Sequence, residues 1–426
     1  GRLISQYNLR TGNQAISDCY PYIQKLNMQG LSGYLMNGEP VTYAAVSAPP
    51  SGKLTWETVI HHNLGLDLGF FDNRLNLSAD LFIRDTKDML VPGKMLPGVY
   101  GATPPKENAA NLRTKGFELA VSWYDQFNLG NKPFSYNLSF GLSDSKSVIT
   151  KFDNPMKEFA KSSYYEGMTI GEIWGYKIDG LFQTDEEAAA YAKAVDNSYV
   201  CENIFVTAVG DYKGLQAGDP RYVDIDGSGR IDDGEKTADN RGDMVIIGNK
   251  EPRYLYNANI GLCWNGIDIS AFFQGVGRQH RYPDGNNMMF WGGFASYFSV
   301  SRPYSSFVPA NFLDNVWSEE NPDAYLPKIR GYAAQGNRSL AHKNDRYLQN
   351  IAYCRLKNLT VGYTLPTEWT SKIKLDRLRV YFSGDNLFTW TKLKSDYIDP
   401  EQITVNSDAR TYPFSKVFSF GLDITF

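Results

Sequence analysis

Long apolar runs are absent from this sequence. No stretch reaches the roughly 18 apolar residues that a membrane-spanning helix needs, so a transmembrane helix is excluded. The mean hydropathy of -0.39 does not exclude a membrane β-barrel, because only alternate residues of each barrel strand face lipid.

Residues and motifs typical of enzymes are also scarce. There are only 4 cysteines and 4 histidines in 426 residues. The cysteines are not at metal-ligand spacings, and no histidine has a partner Ser, Cys or carboxylate at a catalytic spacing. The motifs G-x-S-x-G and H-E-x-x-H and the Walker loop are missing. We therefore predict that the protein is not an enzyme.

An excess of basic charge is absent too, since the net charge is -4, and this argues against nucleic-acid binding. What the sequence has in abundance is aromatic residues. They make up 14% of the chain, with 28 Tyr, 24 Phe and 8 Trp. Aromatic girdles at the two interfaces of a membrane barrel would account for this excess.

The last ten residues, VFSFGLDITF, alternate strictly between apolar and small or polar side chains. The apolar members are Phe418, Phe420, Leu422, Ile424 and Phe426. A period of two predicts a strand with one apolar and one polar face. Similar alternation, weak at first, predicts about ten strands, the others being 3–10, 64–70, 75–83, 117–123, 134–142, 254–262, 267–273, 359–363 and 378–382.

The connections between these segments alternate between short and long. Short turns are predicted near residues 72, 130, 265 and 370, and long loops over 11–54, 86–110, 146–250, 276–347 and 391–413. A compact soluble domain rarely contains loops of such length. A membrane barrel places short turns in the periplasm and long loops outside. The sequence therefore predicts an all-β, antiparallel transmembrane β-barrel with a large extracellular insertion at 146–250.

Several polar residues of these strands are predicted to point to the inner face: Asp67, Asp80, Glu118, Asp268, Arg379 and Asp385. A narrow ten-strand lumen would have to pair or hydrate all of them. A wide lumen that holds water or a folded plug would accommodate them more readily. Both alternatives remain open at this point.

The cysteines fall into two pairs by position. Cys19 and Cys201 lie in predicted outer loops, where an oxidising environment would permit a disulfide, and two separate thiols are the alternative. Cys263 and Cys354 lie on the predicted inward faces of strands, which predicts buried thiols.

The sharpest local motif lies in the insertion, at residues 224–235, with the sequence DIDGSGRIDDGE. Its spacing of oxygen-bearing residues matches an EF-hand calcium loop, in which Gly229 permits the sharp turn and Arg230 offers its backbone carbonyl. We name this segment the aspartate loop and predict a structural calcium ion there. An acidic loop tip without an ion is the alternative. The predicted ligands are Asp224, Asp226, Ser228, Arg230, Asp232 and Glu235.

Two further features of the long loops have structural explanations. Thr184 followed by Glu187 reads as a capping box that opens a surface helix. An aromatic cluster comprises Phe290, Trp291, Phe294, Tyr297 and Phe298, with Tyr304 and Phe307 nearby. Stacking on sugar rings would suit these side chains, but we expect them to pack within the loop or on a partner protein.

Several stretches together resemble the C-terminal half of the SusC/RagA-type family of TonB-dependent outer-membrane transporters. They include KLTWETVIHHNLGLDLGFFDNRLNLSADLF at 53–82, the aspartate loop with the strands after it to residue 275, and DNVWSEENPDAYLPKI at 314–329. The stretches 345–366 and 377–392 and the terminal strand complete the set in family order.

This resemblance implies a C-terminal portion, about ten strands, of a barrel of 22 strands with an N-terminal plug in its lumen. The plug and the first strands are not in this chain, so we expect residues 3–10 and the terminal strand to pair with strands outside it, because the bilayer does not tolerate open edges. The family also implies a SusD-type surface lipoprotein as a lid, contact with TonB through the missing N-terminal region, and outer-membrane lipid around the barrel.

The expected function is import of oligosaccharides or oligopeptides across the outer membrane, driven through TonB. The residues that contact the cargo are not identified by the sequence. The alternative is a non-transporting, calcium-stabilised receptor or adhesin of the outer membrane, which the absence of a plug with a TonB-binding segment would favour.

Overall fold

A computed structural model describes residues 2–12, 23, 26–46, 54–93, 104–159, 164–205, 210, 213–295, 310–330, 338–403, 411–412 and 414–426. The strands are β1 (Arg2–Gly12), β2 (Leu26–Met36), β3 (Glu39–Val46), β4 (Glu57–Phe70), β5 (Leu75–Pro92), β6 (Lys106–Leu129), β7 (Lys132–Lys151), β8 (Glu172–Gly175), β9 (Ile178–Leu181), β10 (Pro220–Tyr222), β11 (Val245–Asn249), β12 (Arg253–Trp264), β13 (Ile267–Arg278), β14 (His280–Arg281), β15 (Gln349–Asn350), β16 (Tyr353–Thr364), β17 (Arg377–Thr391) and β18 (Val417–Thr425).

The helices are short: α1 (Asp185–Ala194), α2 (Glu202–Phe205), α3 (Met288–Trp291) and α4 (Thr367–Thr370). Single 3-10 turns lie at Gly292–Phe294, Leu313–Asn315 and Ser371–Ile373. Among the described residues, no helix is long and apolar enough to cross a membrane. The predicted capping box is confirmed, because the Thr184 side chain accepts a bond from the backbone N–H of Glu187 at the start of α1.

Ten strands form one antiparallel sheet in the order β1-β4-β5-β6-β7-β12-β13-β16-β17-β18, as the alternation predicts. Neighbours in this order follow each other along the chain, apart from the small strands inserted in the long connections. Within the described residues, β1 pairs only with β4 and β18 only with β17. The two therefore form the edges of the sheet, and their pairing with strands outside the chain remains a prediction.

One face of the sheet is apolar from edge to edge. In the register, Leu64 lies opposite Leu81, and Leu81 lies opposite Phe117. The same face carries Phe420 and Leu422 of β18, which are 83% and 64% exposed. A broad, exposed apolar face is unusual on a soluble protein but is what lipid would cover. We call it the outer face.

The opposite, inner face carries polar side chains that bond to one another. The register places there all six residues predicted to point inward. Asn63 donates to Asp80 at 2.9 Å, and Asn358 donates to Asp385 at 2.8 Å. These cross-strand bonds satisfy polar groups that would otherwise have to be hydrated singly.

Aromatic side chains gather where the short turns are. Phe71 packs edge-on against Trp123, and Phe127 lies 5.1 Å from Phe134 between ring centroids. The indole N–H of Trp123 donates to the hydroxyl of Tyr136 at 3.0 Å. The excess of aromatic residues is thus used partly as a belt at this end of the sheet, where apolar rings with polar tips suit an interface with water.

The strands extend further toward the long loops than the alternation predicts. Strand β5 continues to Pro92 and β6 begins at Lys106, so both ends of the long loop predicted over 86–110 are strand. With 24 residues, β6 is more than twice the roughly ten residues that cross a bilayer. The sheet wall therefore projects well beyond the apolar band.

The stretch 11–54 contains a hairpin that is not predicted from the sequence. Strands β2 and β3 pair there around Asn37 and Gly38, whose φ angles are 54° and 83°. Two successive positive φ angles are what a two-residue hairpin turn requires, and Asn-Gly is its strongest sequence signal. The signal was present, but the strands beside it lack a clear period of two.

Two predictions about thiols were wrong. Cys354 lies on the outer face, because a bulge at Lys357 in β16 inserts one extra residue and reverses the alternation. Cys263 does lie on the inner face, opposite Asp268, but it is exposed rather than buried, since it lies close to the turn at the end of β12. Cys201 is completely buried, but Cys19 lies outside the described residues, so a disulfide between them remains a prediction.

The long connections fold together around a core of their own, which we call the loop domain. It comprises described residues of 164–250, 279–295, 310–330, 338–352 and 392–403. Phe290, Trp291 and Phe294 of the aromatic cluster are at most 6% exposed, so the expectation of packing is confirmed for them. Tyr297, Phe298, Tyr304 and Phe307 lie outside the described residues. Fully buried members of the core include Phe182, Val200, Tyr222, Trp291, Leu340 and Tyr347.

Candidate functional site: the aspartate loop and a cleft in the loop domain

The aspartate loop is anchored to the core of the loop domain at both its flank and its middle. Tyr222, just before the loop, and Ile231, at its eighth position, are fully buried in the core. Backbone bonds join Ile231 to Asp196 and Asp196 to Gly229. A buried apolar residue at the eighth position is also what an EF-hand-type loop requires for its attachment to the fold.

The first half of the loop wraps around a carboxylate. The side chain of Asp224 accepts bonds from the backbone N–H groups of Gly227, Ser228 and Gly229 at 2.8 to 3.2 Å. Gly229 has a φ of +78°, which a residue with a side chain rarely adopts. The predicted role of this glycine in the sharp turn is therefore confirmed.

The structure adds a third carboxylate, Asp243, which lies outside the predicted ligand set. Oxygens of Asp224, Asp226 and Asp243 lie within 4.8 Å of one another. Asp243 is fully buried, and it accepts backbone bonds from Ile225 at 2.6 Å and Asp232 at 3.0 Å. Burial raises the pKa of Asp243 above its usual range, and the nearby Asp226 carboxylate adds to this.

Asp243 reaches this position because the chain returns to the loop through Gly242. A β-carbon at Gly242 would lie 2.6 Å from the carbonyl oxygen of Asp232 and from the backbone nitrogen of Gly234. Only glycine permits this approach, and the φ of +55° also favours it. Since Asp243 lies beyond the twelve-residue motif, only the glycine before it could have served as a sequence signal.

The other predicted ligands are not in this carboxylate group. The hydroxyl of Ser228 donates to the carbonyl of Arg230 at 3.0 Å, so these two oxygens bond each other. A carboxylate oxygen of Asp232 accepts from the N–H of Gly234 at 2.9 Å. Glu235 is exposed. The structure therefore brings Asp224 and Asp226 together with Asp243, and leaves Asp232 and Glu235 outside the group.

Three carboxylates at this distance repel one another unless a cation lies between them. Backbone N–H groups offset part of the charge on Asp224 and Asp243, and a bond from Ser228 lowers the pKa of Asp226. Clustered carboxylate oxygens, with carbonyl and hydroxyl oxygens nearby, are the ligands that calcium prefers. The arrangement fits a hard divalent cation.

A cleft of about 380 Å³ lies elsewhere in the loop domain. Its wall combines aromatic, amide and charged side chains, and Lys394, Asp396 and Tyr397 are exposed there. No described residue forms an ion pair with Lys394 or Asp396. The lining residues are Met289, Phe290, Asn311, Phe312, Asn315, Tyr325, Leu326 and 393–397.

Ion pairs of the buried Arg355 side chain connect one wall of this cleft to the sheet. Arg355 of β16 lies on the inner face, and its side chain is only 1% exposed. It forms ion pairs with Asp399 and Glu401, and Lys357 bonds Glu401 at 2.8 Å. The segment that follows the cleft wall is thereby held on the inner side of the sheet.

A family model described as TonB dependent receptor-like, beta-barrel, matches residues 21–387. The chain belongs to this family. TonB-dependent receptor P3 of Formosa agariphila is 27% identical over 438 residues, covering 98% of this chain and 38% of the relative. TonB-dependent receptor SusC of Bacteroides thetaiotaomicron is 25% identical over 426 residues, covering 98% and 36%. The chain thus spans less than two-fifths of the length of these relatives.

A chain of the solved structure of the RagAB peptide transporter superposes on this TonB-dependent receptor with a TM-score of 0.66. The match covers 100% of this chain and 40% of that chain, at 19% identity, and at that identity it shows the fold alone. The comparisons confirm the predicted SusC/RagA-type resemblance, the antiparallel barrel and the outer membrane as its location. The relatives are TonB-dependent receptors, and no enzymatic family is among them.

Proposed function

We propose that this receptor imports oligomeric nutrients, either oligosaccharides or oligopeptides, across the outer membrane with energy supplied through TonB. The observation that carries the proposal is the alignment of 98% of the chain with TonB-dependent receptors, SusC among them. The solved RagAB neighbour is described as a peptide transporter, which keeps peptides among the candidate cargoes.

The cleft in the loop domain is a candidate binding site for the cargo. Its cleft offers an exposed tyrosine ring, Tyr397, beside two exposed charges of opposite sign, Lys394 and Asp396. A flat ring suits the apolar face of a sugar, and the two charges of opposite sign suit the termini or side chains of a peptide. We propose that cargo contacts this cleft before it enters the barrel.

A SusD-type surface lipoprotein is the partner that we propose for the extracellular side. The relative SusC and the similarity to the RagAB peptide transporter support this assignment. Such a lid would close over the loop domain, and TonB would act on a plug domain from the periplasmic side. A closed chamber between lid and plug would keep an oligomer bound while it crosses the wall.

We propose further that calcium binds among Asp224, Asp226 and Asp243 in a structural role. The ion would offset the repulsion of the three carboxylates and so hold the chain after Gly242 against the aspartate loop. Its support is the carboxylate cluster together with the EF-hand-like spacing of the loop.

The import proposal is tested by depletion of a mixed medium. A strain that lacks the receptor is complemented with the full-length wild type, with Tyr397→Ala/Lys394→Gln, or with the control Lys132→Gln at a short turn. Mass spectrometry then follows the loss of oligosaccharides and oligopeptides from the medium, with and without a TonB-null background. We expect one cargo class to be depleted by the wild type and by the control, but slowly by the cleft variant.

Depletion that requires neither the receptor nor TonB would contradict import. If the receptor instead changes only the attachment of cells to a surface, the adhesin alternative replaces it. Depletion at the wild-type rate by the cleft variant would reject the cleft as a contact site but not import itself.

A further inference from the structure

On the two neighbouring strands β6 and β7, the outer face carries lysines at one level of the sheet. On β6 the outer-face series runs from Trp123 through Phe117 to Lys115. On β7 the corresponding series reaches Lys146 after Asp144, and Val148 follows it. From Trp123 to Lys115 there are about nine residues, close to the number of tilted strand residues that cross a bilayer core. The two lysines therefore lie at the level of the outer interface.

Lys115 and Lys146 lie directly opposite each other in the register of β6 and β7. Directly opposed residues of an antiparallel pair have their β-carbons about 5 Å apart, and like charges at such a position destabilise the sheet. Both lysines are exposed, and no described acidic residue forms an ion pair with either. The pair is an uncompensated concentration of positive charge.

The acidic groups nearby are already neutralised by other bases. Arg113 holds Asp85 with two bonds of 2.7 and 2.9 Å, and Arg253 forms an ion pair with Asp144. Arg113 and Asp85 belong to the row above the lysines, and Asp144 to the row below. Since each acid has its own base, the charge of the two lysines is left without a protein partner in this neighbourhood.

The same row of the register carries Tyr7, His62 and Ile83. Tyr7 is 61% exposed and lies 5.1 Å from His62 between ring centroids. An exposed tyrosine at this height is typical of the aromatic belt where a barrel meets lipid headgroups. The lysines therefore face a lipid headgroup layer.

We propose that Lys115 and Lys146 bind a phosphate group on the headgroup of a lipid in the outer leaflet. A phosphate between the two ammonium groups would replace their repulsion by two charge-assisted bonds. In the row just below, the exposed Leu81 and the partly exposed Phe117 would hold the acyl chains of the same molecule, on the side of β6 away from the Asp144–Arg253 pair. Headgroup and tails would thus bind to one continuous strip of the wall.

Native mass spectrometry of the detergent-extracted, full-length receptor tests this proposal. The probes are diphosphoryl lipid A, its dephosphorylated form, and inorganic phosphate. We compare the wild type with Lys115→Gln/Lys146→Gln, and use Lys132→Gln on the same strand as Lys146 but at its short-turn end as the matched control. Loss of two lysines facing an anionic headgroup should weaken binding of the phosphorylated lipid about 30-fold, and the control should bind as the wild type does.

The melting temperature provides a second test, which remains informative if the double glutamine variant does not fold. In lipid-free detergent, Lys115→Gln should raise the melting temperature, because it removes the like-charge pair, and added diphosphoryl lipid A should raise that of the wild type more than that of the variant. The variant Lys115→Arg/Lys146→Arg should retain lipid binding. Equal binding of the dephosphorylated lipid, equal binding by the glutamine variant, or displacement of the lipid by equimolar inorganic phosphate would each overturn the proposal.

Discussion

Arg379 of β17 bonds Asp268 of β13 across the strand that lies between them. Its Nε and Nη2 atoms donate to the carboxylate at 2.9 and 2.6 Å, and Nη1 donates to Asp423 of β18 at 2.9 Å. The intervening residue on β16 is Gly362. A β-carbon there would lie 2.5 Å from Arg379 and 2.6 Å from Asp268, so the glycine is what opens the path. One guanidinium thereby links three strands of the inner face.

Gly362→Ala should therefore destabilise the C-terminal part of the sheet. The added methyl group displaces the end of the Arg379 side chain and weakens its bonds to two partly exposed carboxylates, and such ion pairs contribute up to about 1 kcal/mol each. The measurement is thermal unfolding of the extracted receptor, followed by heat-dependent mobility on gels. Gly30→Ala is the matched control, because nothing lies within 4 Å of a β-carbon at Gly30. Equal melting temperatures for the two variants would reject this role of Gly362.

Calcium affinity should depend on Asp243 more than on Glu235. Asp243→Asn removes a carboxylate from the group of three, so we expect at least a tenfold loss of affinity in calorimetric titration of the extracted receptor. Glu235→Gln, at an exposed position, should change the affinity less than twofold. With calcium removed by a chelator, the Asp243→Asn variant should be at least as stable as the wild type. Without the ion, the three carboxylates of the wild type repel one another, and the substitution removes one of them.

The opposite ranking, with Glu235→Gln the weaker binder, would mean that the twelve-residue motif holds the ion as its spacing predicts. The three-carboxylate group would then be discarded as the ligand set. Absence of calcium binding by the wild type in millimolar calcium would remove the ion from the account.

Arg355→Met should release the segment that forms one wall of the cleft. The substitution leaves Asp399 without its buried partner, and an uncompensated buried charge costs about 3–5 kcal/mol. Hydrogen exchange in residues 393–403 should speed up markedly. Lys357→Met is the control, because Glu401 keeps its bond from Arg355 in that variant. Similar exchange in both variants would show that the ion pairs do not hold this wall.

The loop domain should lose stability as the pH falls below about 6.5. Burial lowers the pKa of His342 and of His280 in the folded protein. When the pH falls through the unfolded-state pKa, the unfolded chain binds protons that the folded chain does not, so folding becomes less favourable. The imidazole of His342 lies between the rings of Tyr176 and Tyr199, where a charged form would be poorly solvated.

This pH effect is measured by limited proteolysis of the extracted receptor between pH 7.5 and 5. Cleavage in the loop domain should increase at low pH for the wild type and less for His342→Phe, which keeps a ring but cannot titrate. His62→Phe, at an exposed contact with Tyr7, serves as the control and should behave as the wild type does. Stability that rises on acidification would contradict the assignment of a neutral, buried His342.

The sequence predicted the sheet well where each strand has one face in lipid and one in the lumen. Residues 418–426 alternate without interruption, and the structure has β18 there. Cys354 shows where this logic ends, since one extra residue at the Lys357 bulge places it on the opposite face. The alternation of apolar residues on either side of a bulge does not reveal the extra residue. Counting alternate residues back from Leu359 therefore assigns Cys354 to the wrong face.

The candidate site was predictable only in part, and for a different reason. Asp224 and Asp226 belong to a local motif whose spacing reflects the wrapping of one short chain segment around an ion. Asp243 joins them through the close approach of Gly242 to Asp232, which is a tertiary contact. The shared core of the loop domain is equally non-local, because it combines apolar residues from three long connections that show no common period.

The most direct test of the account is cryo-electron microscopy of the native complex, extracted from the outer membrane with the full-length receptor as bait and kept in calcium. We predict a closed barrel with its apolar outer face in the detergent or lipid belt, a lipoprotein lid over the loop domain, and density for one ion between Asp224, Asp226 and Asp243. A receptor that is isolated without a lid, with a loop domain that contacts no partner and with no plug in the lumen, would contradict import and leave the adhesin in its place.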